Sequence, residues 1–371
     1  MTQRSPSTNQ TARWKPHQLH DDPERHLPAP GCSGCVDRPT CGTIRAATGL
    51  FDCSIHCCNQ PESCTWVCRR NPRFRQQMQE IRGLSLDNVV IPVAPQAPAL
   101  PIYAPQVFHA SLRTDPLVTP AVAIKLTQLF DKRSGKPRYT SRAALLKHFM
   151  VADGAQIIVT GVDDDPPIER WWHIGQRARR EVIAQLADMG IAIATTPNYS
   201  LSLNWPRVGD MAAMKRILLC AEEMMTGGLP TALHVNGRTP HDFARWSTVI
   251  QRIDGITHLA YEFTTGAAYG ERRERHVAWL CELAANAGRP LDIIVFGDRR
   301  VVPPLSSAFA RVTWIDTTSF MKTIHRKRAT RSGNGKLVWM AEPTAPGQSL
   351  HELLAHNVDE GRAHFALGMA A

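Results

Sequence analysis

No run of apolar residues in this 371-residue chain approaches the ~18 needed to cross a bilayer, so a membrane-spanning helix is not expected. Met1–Pro30 is polar and Pro-rich, without the apolar centre of a signal peptide. A cytoplasmic protein with reduced thiols is therefore expected. No Gly-x-Gly-x-x-Gly follows a candidate strand, and no Gly-x-x-x-x-Gly-Lys-Ser/Thr is present, so neither a dinucleotide site nor a P-loop is supported. There is no His-x-x-x-His pair, which weighs against a helix-borne metallohydrolase centre. The cysteine spacings match neither common ferredoxin run, nor the Cys-x-x-x-Cys-x-x-Cys of radical enzymes.

What is present is an ordinary globular composition, 43% apolar and 20% charged, with a formal net charge of +10. The pI of about 9.3 suits a polyanion such as DNA or RNA as partner, although the same charge also serves solubility.

The ten cysteines are unevenly placed, and eight of them fall between Gly31 and Pro72. Cys32 and Cys35 form a tight pair that one turn can present to a single ion, and Cys53/Cys57 and Cys64/Cys68 are looser versions. With Cys41 and Cys58 they supply eight thiolates, enough for two tetrahedral zinc sites or, alternatively, two iron–sulfur clusters. A segment this short cannot fold on an apolar core, so metal would supply its folding free energy.

The expected organisation is a disordered 1–30, a Cys-rich metal module at 31–75, and a helix with a Pro-rich linker at 76–105. A (β/α) barrel-like domain at 106–330 and a C-terminal extension packed on it at 331–371 complete it. From Val107 short apolar runs alternate with longer helical stretches, the signature of parallel strands covered on both faces. Strands are expected at Val107–Ser111, Ala121–Leu126, Gln156–Thr160, Ile191–Thr195, Thr231–Val235, His258–Phe263, Asp292–Phe296 and Val312–Ile315. The main helices are expected at Ser141–Phe149, Ile168–Met189, Met211–Thr226, Pro240–Arg252 and Glu271–Ala287, with a short one at Ser349–His356. About eight strands predict an α/β fold, a TIM-like barrel either complete or distorted. An open doubly wound sheet is the other arrangement that fits.

In such a barrel the chemistry gathers where strands end. Those positions carry Asp163, then Asn198 and Ser200, His234 with Asn236, Glu262, Arg299, and Asp316. Carboxylates, amides and hydroxyls on one face suit acid–base or nucleophilic catalysis. Each has a plainer reading as well: Asp163 as a helix cap, Asn198 and Ser200 as turn formers, His234 as a core histidine. Glu262 and Asp316 sit in strands so apolar that each needs a partner or a function. Beyond Asp316 a basic run, Lys322, Arg326, Lys327, Arg328 and Arg331, offers contacts for phosphates.

Leu233–Pro240, His258–Phe263, Ile293–Gly297 and Trp314–Thr317 together resemble the second half of tRNA-guanine transglycosylases and of their DNA-modifying relatives, which insert deazaguanine bases. That resemblance implies a (β/α) barrel that exchanges a base through a covalent aspartate–sugar link. Asp316 would match the nucleophile, Asp163 the base-recognising aspartate, and Asn236 the amide that reads the base. Three departures stand against it. An Asp-Ser-Gly-Gly-Phe segment is absent, Tyr261-Glu262 replaces a Gly-Gly pair and would fill the base pocket, and no C-terminal zinc site is present. Pro197–Ser200 with Lys215-Arg216 also resembles an uncharacterised family of phages and mobile elements, which brings no activity.

Three functions compete on these grounds. The first is a nucleic-acid-directed enzyme acting at a base or glycosidic bond through Asp316, with Asp163, Asn236 and Glu262 positioning the substrate. The second is a non-catalytic nucleic-acid-binding or adaptor protein reading its target through the Cys module, with Trp66, Arg69, Arg70, Arg73 and Arg75 as contacts. The third is a metal-dependent hydrolase holding a second ion between His234, Glu262 and the Asp163 cluster.

Overall fold

A computed structural model describes residues 74–91, 95–201, 207–268, 270–333 and 335–370. The cysteine module, with Cys32, Cys35, Cys41, Cys53, Cys57, Cys58, Cys64 and Cys68, lies outside the described residues.

Eight parallel strands form one sheet that curls into a nearly closed barrel. They are β1 (Tyr103–Pro105), β2 (Ala121–Lys125), β3 (Gln156–Thr160), β4 (Ile193–Thr195), β5 (Thr231–His234), β6 (His258–Phe263), β7 (Asp292–Gly297) and β8 (Arg311–Asp316). β1 pairs with β8, and the ring closes on β2 through one bridge, Gln106 against Ala123, with the Val107 amide donating to Ala123 O at 2.9 Å. Nearly every strand residue is buried, as two covered faces require.

Helices α1 (Phe74–Glu80), α2 (Arg142–Phe149), α3 (Asp165–His173), α4 (Gln176–Asp188), α5 (Arg207–Thr226), α6 (Pro240–Arg252), α7 (Gly270–Asn286), α8 (Val302–Ser306) and α9 (Thr318–Ile324) accompany the strands. Their starts follow local chemistry. Ser141 caps α2 through the Ala144 amide, and Thr239 with Asp242 forms a capping box ahead of Pro240 at the first turn of α6.

The first strand is not where periodicity put it. Val107–Ser111 is not a strand, and β1 lies inside the Pro- and Ala-rich stretch read as a linker. That stretch is structural: Leu100 is buried against the lumen, and Gln156, Thr313 and Arg311 side chains donate to the carbonyls of Ala99, Pro101 and Leu100. The N-terminal end of the barrel is thereby stoppered, leaving the C-terminal end as the mouth. The expected single helix Ile168–Met189 is two, broken at Gly175, whose φ of +85° suits glycine alone.

The lumen is filled by small and branched side chains, Ala104, Ala121, Ala123, Ala232 and Ala260 against Ile158, Ile193, Ile294, Phe296 and Ile315. The opposite face of each strand packs on the helices as a larger core. After α9 the chain makes a hairpin, β9 (Lys327–Arg331) with β10 (Leu337–Ala341), and ends its described course in α10 (His351–Ala370), far longer than the short helix expected at Ser349–His356. Buried Asn357 ties these pieces together. Its Oδ1 accepts from the Ala329 amide at 2.7 Å, and its Nδ2 donates to Thr323 Oγ1 and Lys327 O at 2.8 Å each.

Candidate functional site

Side chains alternate across each strand, so the lumen residues identify which strand-end groups enter the mouth. Gln106 pairs with Ala123, Lys125 lies two beyond Ala123, Thr195 pairs with Ala232, His234 with Ala260, and Glu262 with Phe296. The uppermost layer of the barrel is therefore polar where the layers beneath are apolar.

Its strongest feature is an ion pair. Lys125 Nζ stands 2.5 Å from Asp163 Oδ1, and Thr127 Oγ1 donates to the other carboxylate oxygen. Burial would raise the Asp163 pKa, but the hydrogen bonds from Lys125 and Thr127 outweigh it and hold the carboxyl below its ordinary value. Asp163 is thus a fixed anion at neutral pH. Beside it Asn236 Nδ2 donates to Asn198 Oδ1 at 2.7 Å and to Tyr199 O at 3.1 Å, locking two strand-end amides together. Ser200 turns away to Asp165, donating at 2.5 Å.

Among the described residues Gln106 Nε2 at the mouth is buried without a partner, and so are both ring nitrogens of His234, whose ring stacks on Tyr261 with centroids 5.9 Å apart. Burial, helped by Arg238, lowers the His234 pKa to about 3, so the ring is neutral. Unsatisfied buried groups are rare in folded proteins and call for a ligand or a stored cost. The expected hydrogen-bonded core histidine is therefore buried but unbonded. Of Tyr261-Glu262, only Glu262 reaches the mouth. The Tyr261 ring lies on the outer face, its hydroxyl against His276 Nδ1 and its ring against Phe243 and His234, so the His234 ring packs with Tyr261 and not beside Asp163. Glu262 accepts the Thr264 and Thr265 amides at 2.9 Å each, folding back on its own loop.

Asp316 does not join this group. Its neighbour Ile315 faces the lumen, so Asp316 faces outward, towards α9 and α10. There it is 2% exposed and saturated with donors: Tyr103 Oη at 2.6 Å, the Thr318 and Ser319 amides at 2.7 and 3.3 Å, and Ser319 Oγ. Gly361 of α10 passes so close that a Cβ would stand 2.7 Å from Tyr103 Oη, so a glycine is needed for the helix to seat here. An oxygen that already accepts this many hydrogen bonds is a poor nucleophile. The geometry makes Asp316 a structural tie between β8, β1 and α9.

The basic run is likewise engaged in part. Arg326 donates to Ile324 O and Thr344 Oγ1, Arg328 pairs with Glu342 and Arg331 with Glu360. Lys322 and Lys327 are left without an ion pair among the described residues. Arg299 is exposed, on the outer side with Asp316 rather than at the mouth. Among the described residues no three His, Cys, Asp or Glu side chains converge as metal ligands, so His234, Glu262 and the Asp163 cluster do not assemble the second-ion site of the hydrolase reading.

No protein-family model matches the chain, and no curated protein matches it. No described helix is long and apolar enough to cross a membrane. Lys215 and Arg216, singled out in one resemblance, serve packing. Lys215 is buried and donates to Ser85 O and Asn88 Oδ1, while Arg216 clasps Glu169 and lies 4.0 Å over the Tyr199 ring. A cavity of about 1130 Å³ lies outside the barrel against α4 and α5, over a buried Arg179–Glu223 pair that satisfies itself.

Reading strand ends alone missed Lys125 and Thr127. The signal was available, since a lysine closing the apolar run Ala121–Ile124 demands an anion at the barrel mouth.

Proposed function

We propose that this chain is a nucleic-acid-directed enzyme whose reaction centre is the barrel mouth, with Asp163 as its central carboxylate. The observation that carries the reading is the Lys125–Asp163–Thr127 cluster, at the same barrel mouth as the unsatisfied Gln106 Nε2. An anion held by a lysine and a hydroxyl accepts hydrogen bonds from the N–H edge of a base, and the Gln106 amide can donate to it. Asn236 and Asn198 supply further amide contacts. The basic balance of the chain and the resemblance to base-exchanging transglycosylases point to a nucleobase and its glycosidic bond as the target. Zinc, or an iron–sulfur cluster, belongs to the cysteine module in this reading and takes no part at the mouth.

The test is base exchange and glycosidic cleavage on DNA and RNA, scored by incorporation of labelled base and by release of free base. Asp163→Asn should lower turnover by at least ~100-fold with the fold intact. Full turnover in that variant would remove the mouth from the mechanism.

A second reading, a non-catalytic nucleic-acid-binding or adaptor protein of a phage or mobile element, draws on Asp316. The residue that the resemblance assigns as nucleophile is turned out of the barrel and saturated with hydrogen bonds. In that reading residues 31–75, metal-loaded, form the contact surface, and salt-sensitive binding without turnover is the expected result.

A further inference from the structure

A groove of about 290 Å³ opens on the outer side of β8, between that strand, β10 and α10. Its volume is at the low end for ligand sites, the scale of one small flat group rather than an extended molecule. Its wall is aromatic and rigid. Trp314 stacks on Phe365 with centroids 5.2 Å apart and planes at 4°, and its Nε1–H is pinned to Gly297 O at 3.0 Å. Across from it Trp339 of β10 is half-buried, and among the described residues it stacks on no other ring. A half-buried tryptophan that lines a groove and stacks on no ring of its own chain among the described residues can serve as a stacking platform for a base.

The rim is basic. Arg299 is exposed and carries no ion pair among the described residues. His364 lies beside it, and Arg331 adds a further cation already shared with Glu360. The His364 pKa is lowered by partial burial first and then by Arg299 and Arg331, against an opposing effect of Glu360, so His364 meets a phosphate as a neutral N–H donor beside these arginines. The single carboxylate in the groove wall, Asp316, is spent on its own four donors and offers little repulsion.

We infer that this groove binds a nucleotide, with the base stacked on Trp339 and the phosphate held by Arg299 and His364. The site is separate from the mouth. It rests on the nucleic-acid reading of the protein only for whether the nucleotide belongs to a strand or is free.

The experiment uses the full metal-loaded chain and follows tryptophan fluorescence and calorimetry. Its probes are a nucleoside 5′-monophosphate, inorganic phosphate and a short single-stranded oligothymidylate. Trp339→Ala should weaken nucleotide binding roughly 10-fold through lost stacking. Arg299→Ala should weaken it by a similar factor and flatten its salt dependence. Binding of the monophosphate identifies a free-nucleotide site, and binding of the oligonucleotide alone identifies a strand contact. Either supports the inference when both variants lose it. Inorganic phosphate competing with full effect while Trp339→Ala changes nothing would reduce the groove to a simple anion site and overturn the inference. Affinity unchanged in both variants would also overturn it. Turnover lost in Asp163→Asn reports on the mouth, and binding lost in Trp339→Ala and Arg299→Ala reports on the groove, so failure of the mouth chemistry and failure of the groove are read separately.

Discussion

Asp316→Asn tests whether this aspartate is structural or reactive. In the folded protein Oδ1 accepts the Thr318 and Ser319 amides, and Oδ2 accepts the Tyr103 and Ser319 hydroxyls. The amide keeps one oxygen for the backbone donors but sets an NH₂ group against the two hydroxyls. Hydrogen bonds to a charged acceptor contribute about 1.5–3 kcal/mol each, so about 3–6 kcal/mol is at stake. Both hydroxyls can rotate to accept from the new donor, and about half returns, leaving a net loss of about 1.5–3 kcal/mol. At about 2–4 °C per kcal/mol for a domain of this scale, Tm should fall by ~3–12 °C. A thermal scan and a urea titration measure it. A variant within ~0.5 kcal/mol of the wild type that has lost turnover or nucleic-acid binding would refute the structural role and restore Asp316 as a reacting group.

Other consequences are as direct. Arg179 and Glu223 face each other through two contacts of 2.7 Å, with both side chains about 95% buried or more, so Glu223→Gln should cost about 3–5 kcal/mol by urea titration. His234 is neutral when folded, with a pKa of about 3 against an ordinary 6.5. The unfolded chain therefore binds the extra proton between those values, and stability falls as pH drops below about 6.5. His234→Leu should remove about 1.4 kcal/mol per pH unit from the slope between pH 6 and 5, while His276, shifted the same way, keeps its share. An unchanged slope would mean that His234 is partnered in solution. Elemental analysis of protein purified without oxygen should return about two zinc ions per chain and no visible chromophore; iron with sulfide would replace the zinc reading by two clusters.

The barrel was legible in the chain because a parallel strand covered on both faces reads as an unbroken apolar run, and the helices between carry their own caps. Position along each strand also fixes height in the barrel, which is why Asp163, Asn236 and Glu262 were found near the mouth from sequence alone. Three things were decided only in three dimensions. β1 hides in a Pro- and Ala-rich stretch with no strand signal of its own. It becomes a strand because β8 supplies its ladder and β2 closes the ring beside it. Lys125 and Asp163 are 38 residues apart, and only the pairing of β2 with β3 makes them one group. Asp316 stands at the right height but on the wrong side: a strand turns alternate residues to opposite faces, and with Ile315 committed to the lumen its neighbour had to face outward. The groove that Asp316 helps to floor is assembled from residues as far apart as Gly297 and Phe365, so no local pattern could have announced it.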